Sequence, residues 1–259
     1  VRISSWNING LRAAVRKGLT RWLDDTRPDL VSLQEIRAHP HQLEDELERL
    51  KPRRVHLSPA VRKGYSGLGL LAHRTPHELH LSLGPRRFDV EGRFQLARFG
   101  RLWLCNVYVP SGNGVNRDLS RTPYKLAFLK TLRQRLEPLR AAGEAVLVMG
   151  DFNIAHQEID LARPRDNLQN SGFLPIERRA LGAWLEAGWV DTFREVHGRV
   201  PGHYSWWSQR VGVREKNVGW RIDLVLATPA AMKRVKDAFI ERDVRGSNHC
   251  PVGVLLKAP

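Results

Sequence analysis

Ala145-Val146-Leu147-Val148-Met149-Gly150-Asp151-Phe152-Asn153 is an apolar run that ends abruptly in a glycine, a carboxylate and an amide. Five consecutive apolar residues suit a strand covered on both faces, as in the interior of a layered α/β domain. Gly150 then frees the backbone to turn, and Asp151 and Asn153 are delivered at the strand's carboxyl end. A carboxylate fixed there, with a neutral amide two residues on, suits activating a water or binding a divalent cation. A simple turn also uses Gly-Asp, so the run needs its neighbours.

Strand-like runs recur at Val1–Trp6, Leu30–Leu33, Gly67–Leu71, Phe94–Phe99, Leu102–Val109, Ile222–Ala227 and Val252–Leu256. Helical patterns lie between them. Leu43, Leu47 and Leu50 share one face of a charged stretch. A longer helix is predicted to start near Pro123 with Thr122 as its N-cap, its stripe of Leu126, Leu129, Leu132 and Leu136 facing the core. No repeat or Gly/Ser linker interrupts the pattern, which predicts one α/β domain over residues 1–259. Arg163–Arg179 stands apart as basic, amide-rich and irregular, and such a segment is usually functional or disordered.

The 259 residues suffice for a proper core, and 42% hydrophobic with 27% charged content is ordinary for a soluble protein. No apolar segment approaches bilayer length, and the chain opens in a strand-like pattern rather than a signal peptide. Two cysteines make no disulfide framework. A cytoplasmic protein is expected, nucleoid-associated in a prokaryote. The net charge of +15 points to a polyanion, since Arg and Lys gain affinity by releasing counterions from phosphates. Genomic base composition could explain 33 Arg against 9 Lys, but it explains less well their excess over 27 acids.

Polar clusters end several of the runs: Asn7-Ile8-Asn9-Gly10, Gln34-Glu35, Tyr108-Val109-Pro110-Ser111-Gly112, and Ser247-Asn248-His249 before the last strand. Singly, each has a structural reading. Asn7 and Asn9 suit a turn, Glu35 could pair with a surface Arg, Tyr108 could pack half-buried, and His249 could sit satisfied in a core. Asp223 is harder to dismiss. Between Ile222 and Leu224 its carboxylate is costly unless paired, and His249 is a natural partner.

Together these blocks resemble the signature of the exonuclease III family of abasic-site DNA endonucleases. The blocks are Trp6–Ala13, Leu33-Gln34-Glu35, Gly64-Tyr65-Ser66-Gly67, Asn106–Pro110, Gly150–Ala155 with Ile159-Asp160-Leu161, Gly219–Asp223 and Ser247–Pro251. They stand in family order across nearly the whole chain. The resemblance implies a four-layer α/β sandwich: two mixed sheets packed face to face, helices outside, the site at one edge. It also implies hydrolysis of the phosphodiester 5′ to an abasic site in double-stranded DNA, leaving a 3′-hydroxyl, with some 3′–5′ exonuclease action and removal of 3′-blocking lesions. The expected cofactor is Mg²⁺, with Mn²⁺ as a substitute, and the expected state is a monomer.

By motif match, Glu35 is expected at the metal, supported by Asn7, Asn9 and position 248. Asp151 is expected to position or deprotonate the attacking water, and Asn153 to orient it. His249, held by Asp223, is expected on a non-bridging phosphoryl oxygen, and Tyr108 on the phosphate or leaving group. Trp206, Trp220 and Ile222 match the wall of a pocket for a sugar without its base. Ser111, Asn167 and Asn170 match phosphate contacts. The general base and the number of metals stay open. Two departures matter. Asn248 stands where the family has Asp, which removes a negative charge, and Ser111 stands where the family commonly has Asn. A non-specific deoxyribonuclease of the same fold, or a catalytically weakened DNA-binding relative, are the alternative readings.

Overall fold

Alternate residues of the Ala145–Asp151 strand enter two different cores. Val146 and Val148 pack with Phe128, Leu129, Leu132, Leu181 and Trp184, whereas Leu147 and Met149 pack with Ile3, Leu70, Val225 and Val254. The period of two along an apolar strand therefore sorts its side chains between helices on one face and a second sheet on the other. The computed structural model describes residues 1–116 and 118–257.

The first sheet has the order β13 (Val235–Ile240), β14 (Val252–Leu256), β1 (Arg2–Asn7), β2 (Leu30–Gln34), β4 (Leu68–Ala72) and β3 (Arg54–Ser58). The second has the order β5 (Glu78–His80), β6 (Phe94–Phe99), β7 (Leu102–Tyr108), β8 (Ala145–Asp151), β12 (Asp223–Ala227) and β9 (Val190–Asp191). Both are mixed: β1/β2 and β7/β8 run parallel, and the other pairs run antiparallel. A two-stranded ribbon joins β10 (Trp206–Trp207) to β11 (Gly219–Trp220).

The helices are α1 (Leu11–Arg16), α2 (Leu19–Thr26), α3 (Glu44–Arg49), α4 (Arg86–Asp89), α5 (Thr122–Ala141), α6 (Pro175–Glu186), α7 (Thr192–His197) and α8 (Pro229–Met232). Residues of α1 and α2, with Leu43 and Leu50 at the ends of α3, cover the outer face of the first sheet at Trp6, Val31, Leu33 and Leu71. Helices α5 and α6 cover the outer face of the second. Helix, sheet, sheet and helix thus form the four layers expected. No helix among the described residues is long and apolar enough to cross a membrane.

Several local expectations need correction. Thr122 is not an N-cap: it lies inside α5, after Arg121, and its hydroxyl reaches back to the Gly112 carbonyl at 3.5 Å. The buried stripe of α5 runs through Phe128, Leu129, Leu132 and Leu136, with Leu126 only half-buried and Lys125 fully enclosed. The irregular segment from Arg163 ends at Leu174, because Pro175 starts α6 as a first-turn proline whose missing N–H costs the helix nothing. Strands β3 and β13 lack a clean apolar alternation and were not expected.

Candidate active site

Strand register builds the site. In the parallel β7/β8 pair Tyr108 lies beside Asp151, and in the antiparallel β8/β12 pair Asp223 lies beside Asp151. In the first sheet Asn7 lies beside Gln34, which places Glu35 at the next strand end. The segment before β14 brings in Asn248 and His249, anchored where the Trp6 indole Nε1 donates to the His249 carbonyl at 3.2 Å. Residues scattered from position 7 to 249 so converge on one edge of the sandwich.

Asn7 is the link. Its fully buried Nδ2 donates to Glu35 Oε1 at 2.9 Å and to Asp151 Oδ2 at 3.0 Å, holding two carboxylates on either side of one amide. The Tyr108 hydroxyl donates to the same Glu35 oxygen at 2.8 Å, and the Arg37 guanidinium pairs with the other. Asp151 Oδ1 accepts the Asn153 N–H at 2.8 Å, and Asn153 Nδ2 donates to the Val109 carbonyl at 2.9 Å. Glu35 and Asn153 sit at φ of 59° and 52°, a left-handed conformation costing about 1–2 kcal/mol for a residue with a Cβ. These hydrogen bonds hold both residues there.

His249 Nδ1 lies 2.8 Å from Asp223 Oδ2, which also accepts the Ser205 hydroxyl at 2.7 Å. Its other ring nitrogen, Nε2, is 3.8 Å from Asp151 Oδ2. Burial pulls the imidazole towards neutrality. The Asp223 charge and hydrogen bond, helped by Asp151 and Glu35, overcome this and raise its pKa to about 9. His249 is therefore an imidazolium at neutral pH. Burial, with repulsion from Asp223, pushes the Asp151 pKa up to about 7 against the pull of His249. Burial would also raise Glu35, but Arg37, Asn7 and Tyr108 hold it below the usual carboxylate range. The site thus pairs a lastingly ionised carboxylate with one that titrates near neutrality, a separation suited to acid–base work.

Beside His249 lies an apolar cluster. Trp206 and Trp220 stand edge to face at 6.2 Å, backed by Ile222, Leu161 and Phe173. The Trp206 ring is 6.4 Å from the His249 ring, and the two residues form a backbone bridge. The remaining expected residues are more peripheral. Asn9 Nδ2 donates to Asn248 Oδ1 at 3.1 Å at the rim. The half-buried Ser111 hydroxyl accepts the Asn113 N–H at 3.3 Å. Asn170 donates to Asn167 Oδ1 at 2.7 Å, so this pair stands in the surface segment and bonds to no residue of the central cluster.

Sequence reading missed three supports. Arg37 closes Glu35 from the solvent side, Ser205 is the second hydrogen-bond partner of Asp223, and Arg93 lies 4.3 Å over the Tyr108 ring while donating to the Tyr108 carbonyl at 3.2 Å. None carries a local signal, because each is defined only by what lies across the fold.

The donor set fits a hard divalent cation. Ligand atoms of Asp151, Asp223 and His249 lie within 4.8 Å of one another, close enough for the group to hold a metal ion. His249, bound to Asp223 through Nδ1, could offer such an ion only Nε2, and only on giving up its proton. Glu35, held ionised beside the Asn7 amide, adds a hard oxygen donor of the kind such an ion takes. Asn248 in place of a carboxylate leaves this set one charge lighter.

Comparison with known proteins agrees with this geometry. Residues 4–249 match the Endonuclease/Exonuclease/phosphatase family. The chain is 37% identical to an exodeoxyribonuclease of Bacillus subtilis, over 99% of both chains. It is 33% identical to a DNA-(apurinic or apyrimidinic site) endonuclease of Dictyostelium discoideum, covering 99% of this chain and 70% of that one. Among solved structures, an AP endonuclease from Archaeoglobus fulgidus superposes with a TM-score of 0.87 over 100% of both chains at 28% identity. An AP endonuclease from Leishmania major gives 0.89 over 100% of this chain and 88% of that one at 25% identity. With its fold, its converging carboxylates and these relatives, the chain belongs to the endonuclease/exonuclease/phosphatase family, in its exonuclease III-like branch of AP endonucleases and exodeoxyribonucleases, and is a phosphodiester hydrolase.

Proposed function

We propose that this enzyme is foremost an abasic-site endonuclease that cuts double-stranded DNA on the 5′ side of the lesion and leaves a 3′-hydroxyl. The observation that carries this reading is the apolar cluster of Trp206, Trp220 and Ile222 beside His249, to which we assign the wall that receives the lesion sugar. An extruded sugar without its base fits an apolar slot that an intact nucleotide overfills. The same site would accept a frayed 3′ end, which accounts for a secondary exonuclease and 3′-cleaning activity. The +15 charge supplies the non-specific attraction to the duplex, and Ser111, Asn167 and Asn170 are assigned to its phosphates.

Phosphodiester hydrolysis needs a water in line with the leaving 3′ oxygen and positive charge on the phosphoryl oxygens. Asp151 accepts the proton of the attacking water, and Asn153 orients that water. A carboxylate titrating near neutrality is suited to this task. His249 donates its Nε2–H to a non-bridging oxygen, fixed in orientation by Asp223. The Tyr108 hydroxyl, now on Glu35, is placed to contact the phosphate or the leaving oxygen. Glu35, with Asn7, Asn9 and Asn248, would hold Mg²⁺ or Mn²⁺, which supplies Lewis-acid stabilisation of phosphoryl charge. A duplex with one tetrahydrofuran abasic analogue, incubated with and without Mg²⁺ beside an intact blunt duplex, tests the reading. Metal-dependent incision at the analogue is expected. Faster shortening of the intact duplex from its 3′ ends would make the enzyme chiefly an exonuclease. Binding without cleavage, with Mg²⁺ or without it, would favour the weakened relative.

A further inference from the structure

Lys125 and Glu177 form an ion pair that is completely buried, and no catalytic step above uses either. Lys125 Nζ, from α5, donates to Glu177 Oε1 at 2.6 Å and to the main-chain carbonyl of Asn153 at 2.7 Å. Glu177 Oε2, from α6, accepts the N–H groups of Gly172 at 2.6 Å and Leu174 at 3.2 Å. Its Oε1 also accepts the Ser171 hydroxyl at 3.3 Å, and that hydroxyl oxygen accepts the Gly112 N–H at 2.9 Å. One ion pair therefore joins the Asp151–Asn153 turn, the end of the Arg163–Leu174 segment and the loop that carries Ser111.

The contact between these segments is close. A Cβ on Gly172 would meet the Asn153 carbonyl oxygen at 3.0 Å and the Trp220 ring at 3.2 Å. A buried ion pair adds little net stability, because desolvating both charges offsets their attraction, and apolar residues of similar volume often replace it without loss. The bonds such residues cannot replace are the one to the Asn153 carbonyl and those from the Gly172 and Leu174 N–H groups. Burial lowers the Lys125 pKa, whereas Glu177 acts to keep its charge.

We propose that Lys125 and Glu177 are positioning residues that lock the Asn153 turn to the Arg163–Leu174 segment, so that the water-orienting amide and the DNA-contacting loop share one register. This rests on the role given above to Asn153.

The test is a double-mutant cycle. The variant K125M/E177L removes both charges at similar volume. It is expected to fold with a native circular dichroism spectrum and to lose about tenfold or more in kcat on the abasic-analogue duplex. Combined with Asn153→Ala, it should be no slower than Asn153→Ala alone, because both act through one turn. Native kcat in the folded variant, or losses that simply multiply, would overturn the proposal. If K125M/E177L does not fold, K125M/E177Q, which removes the bond to the Asn153 carbonyl while keeping an acceptor for the loop amides, is read in the same cycle with the same criteria. Native kcat in Asn153→Ala alone would refute the role of Asn153 and the proposal with it, which separates that failure from failure of the pair.

Discussion

Replacing Asp223 by Asn removes the charge that keeps His249 ionised and leaves the shape of the site intact. In the folded enzyme the imidazole pKa rises from 6.5 to about 9. That rise corresponds to about 3 kcal/mol of preference for the imidazolium. The pair is almost fully buried, at 2% exposure for Asp223 and 4% for His249, so solvent screens it little. Without the carboxylate, burial dominates and the pKa falls back to 6.5 or lower. At pH 8, about 90% of a group with a pKa near 9 is protonated, against about 3% at 6.5, so a step needing the imidazolium slows about 30-fold.

The assay is kcat/KM for incision of an abasic-analogue duplex between pH 6 and 10. The wild type should lose activity above about pH 9. In Asp223→Asn the alkaline limb should move below about pH 7, with partial recovery of rate at pH 6. Stability moves with it. Because His249 ionises at a higher pH in the fold than in the unfolded chain, its contribution is complete below pH 6.5 and disappears as pH rises through about 9. Thermal unfolding of the variant should therefore differ most from wild type at pH 6 and least at pH 10. An alkaline limb still near pH 9 in Asp223→Asn would refute the assignment of that limb to His249.

Asp151→Asn removes the proton acceptor and leaves a single oxygen that can accept from Asn7 or from the Asn153 N–H but not both, so kcat should fall about 10³-fold with duplex affinity in EDTA nearly unchanged; residual activity within tenfold of wild type would remove Asp151 from the base role. Asn248→Asp restores a carboxylate beside Asn9, and the Mg²⁺ concentration for half-maximal rate should fall; an identical rate and metal dependence would mean the position does not matter. Trp220→Ala removes half of the tryptophan pair beside His249, and the preference for abasic over intact duplex should drop about tenfold, read as the ratio of the two kcat/KM values. Gly150→Ala would place a Cβ 1.8 Å from the Val107 carbonyl oxygen at a φ of 148°, so the strand must shift. A loss of about 3 kcal/mol or more is expected from thermal unfolding, and a native Tm would contradict the register of β7 and β8.

How much was legible varied with the type of signal. Phe94–Phe99 and Val252–Leu256 were read to the residue, and Ala145–Met149 only two residues short, because buried strands are continuous apolar runs. Strand β3, with Arg54 and His56, was invisible because it lies at a sheet edge, where a half-exposed strand tolerates polar side chains. Lys125, beside the predicted leucine stripe, carries no local signal of burial, yet it is fully enclosed, since its partner lies 52 residues away on another helix. Asp223 was legible as a paired acid because a carboxylate between two apolar strand residues must be compensated.

The sequence by itself determined which residue types stand at the strand ends, a layered α/β class, and a net charge suited to a polyanion, since these follow from local periodicity and summed charge; the four-layer form was implied by the family resemblance. It also marked Asn248 as a departure. Only the tertiary structure decided that Asn7 joins Glu35 to Asp151, that Arg37, Ser205 and Arg93 brace Glu35, Asp223 and Tyr108, and that Lys125 reaches the Asn153 carbonyl. The reason is register. Moving a strand by one residue sends every side chain to the opposite face, and register is set by packing between sheets, not by any one segment's own pattern.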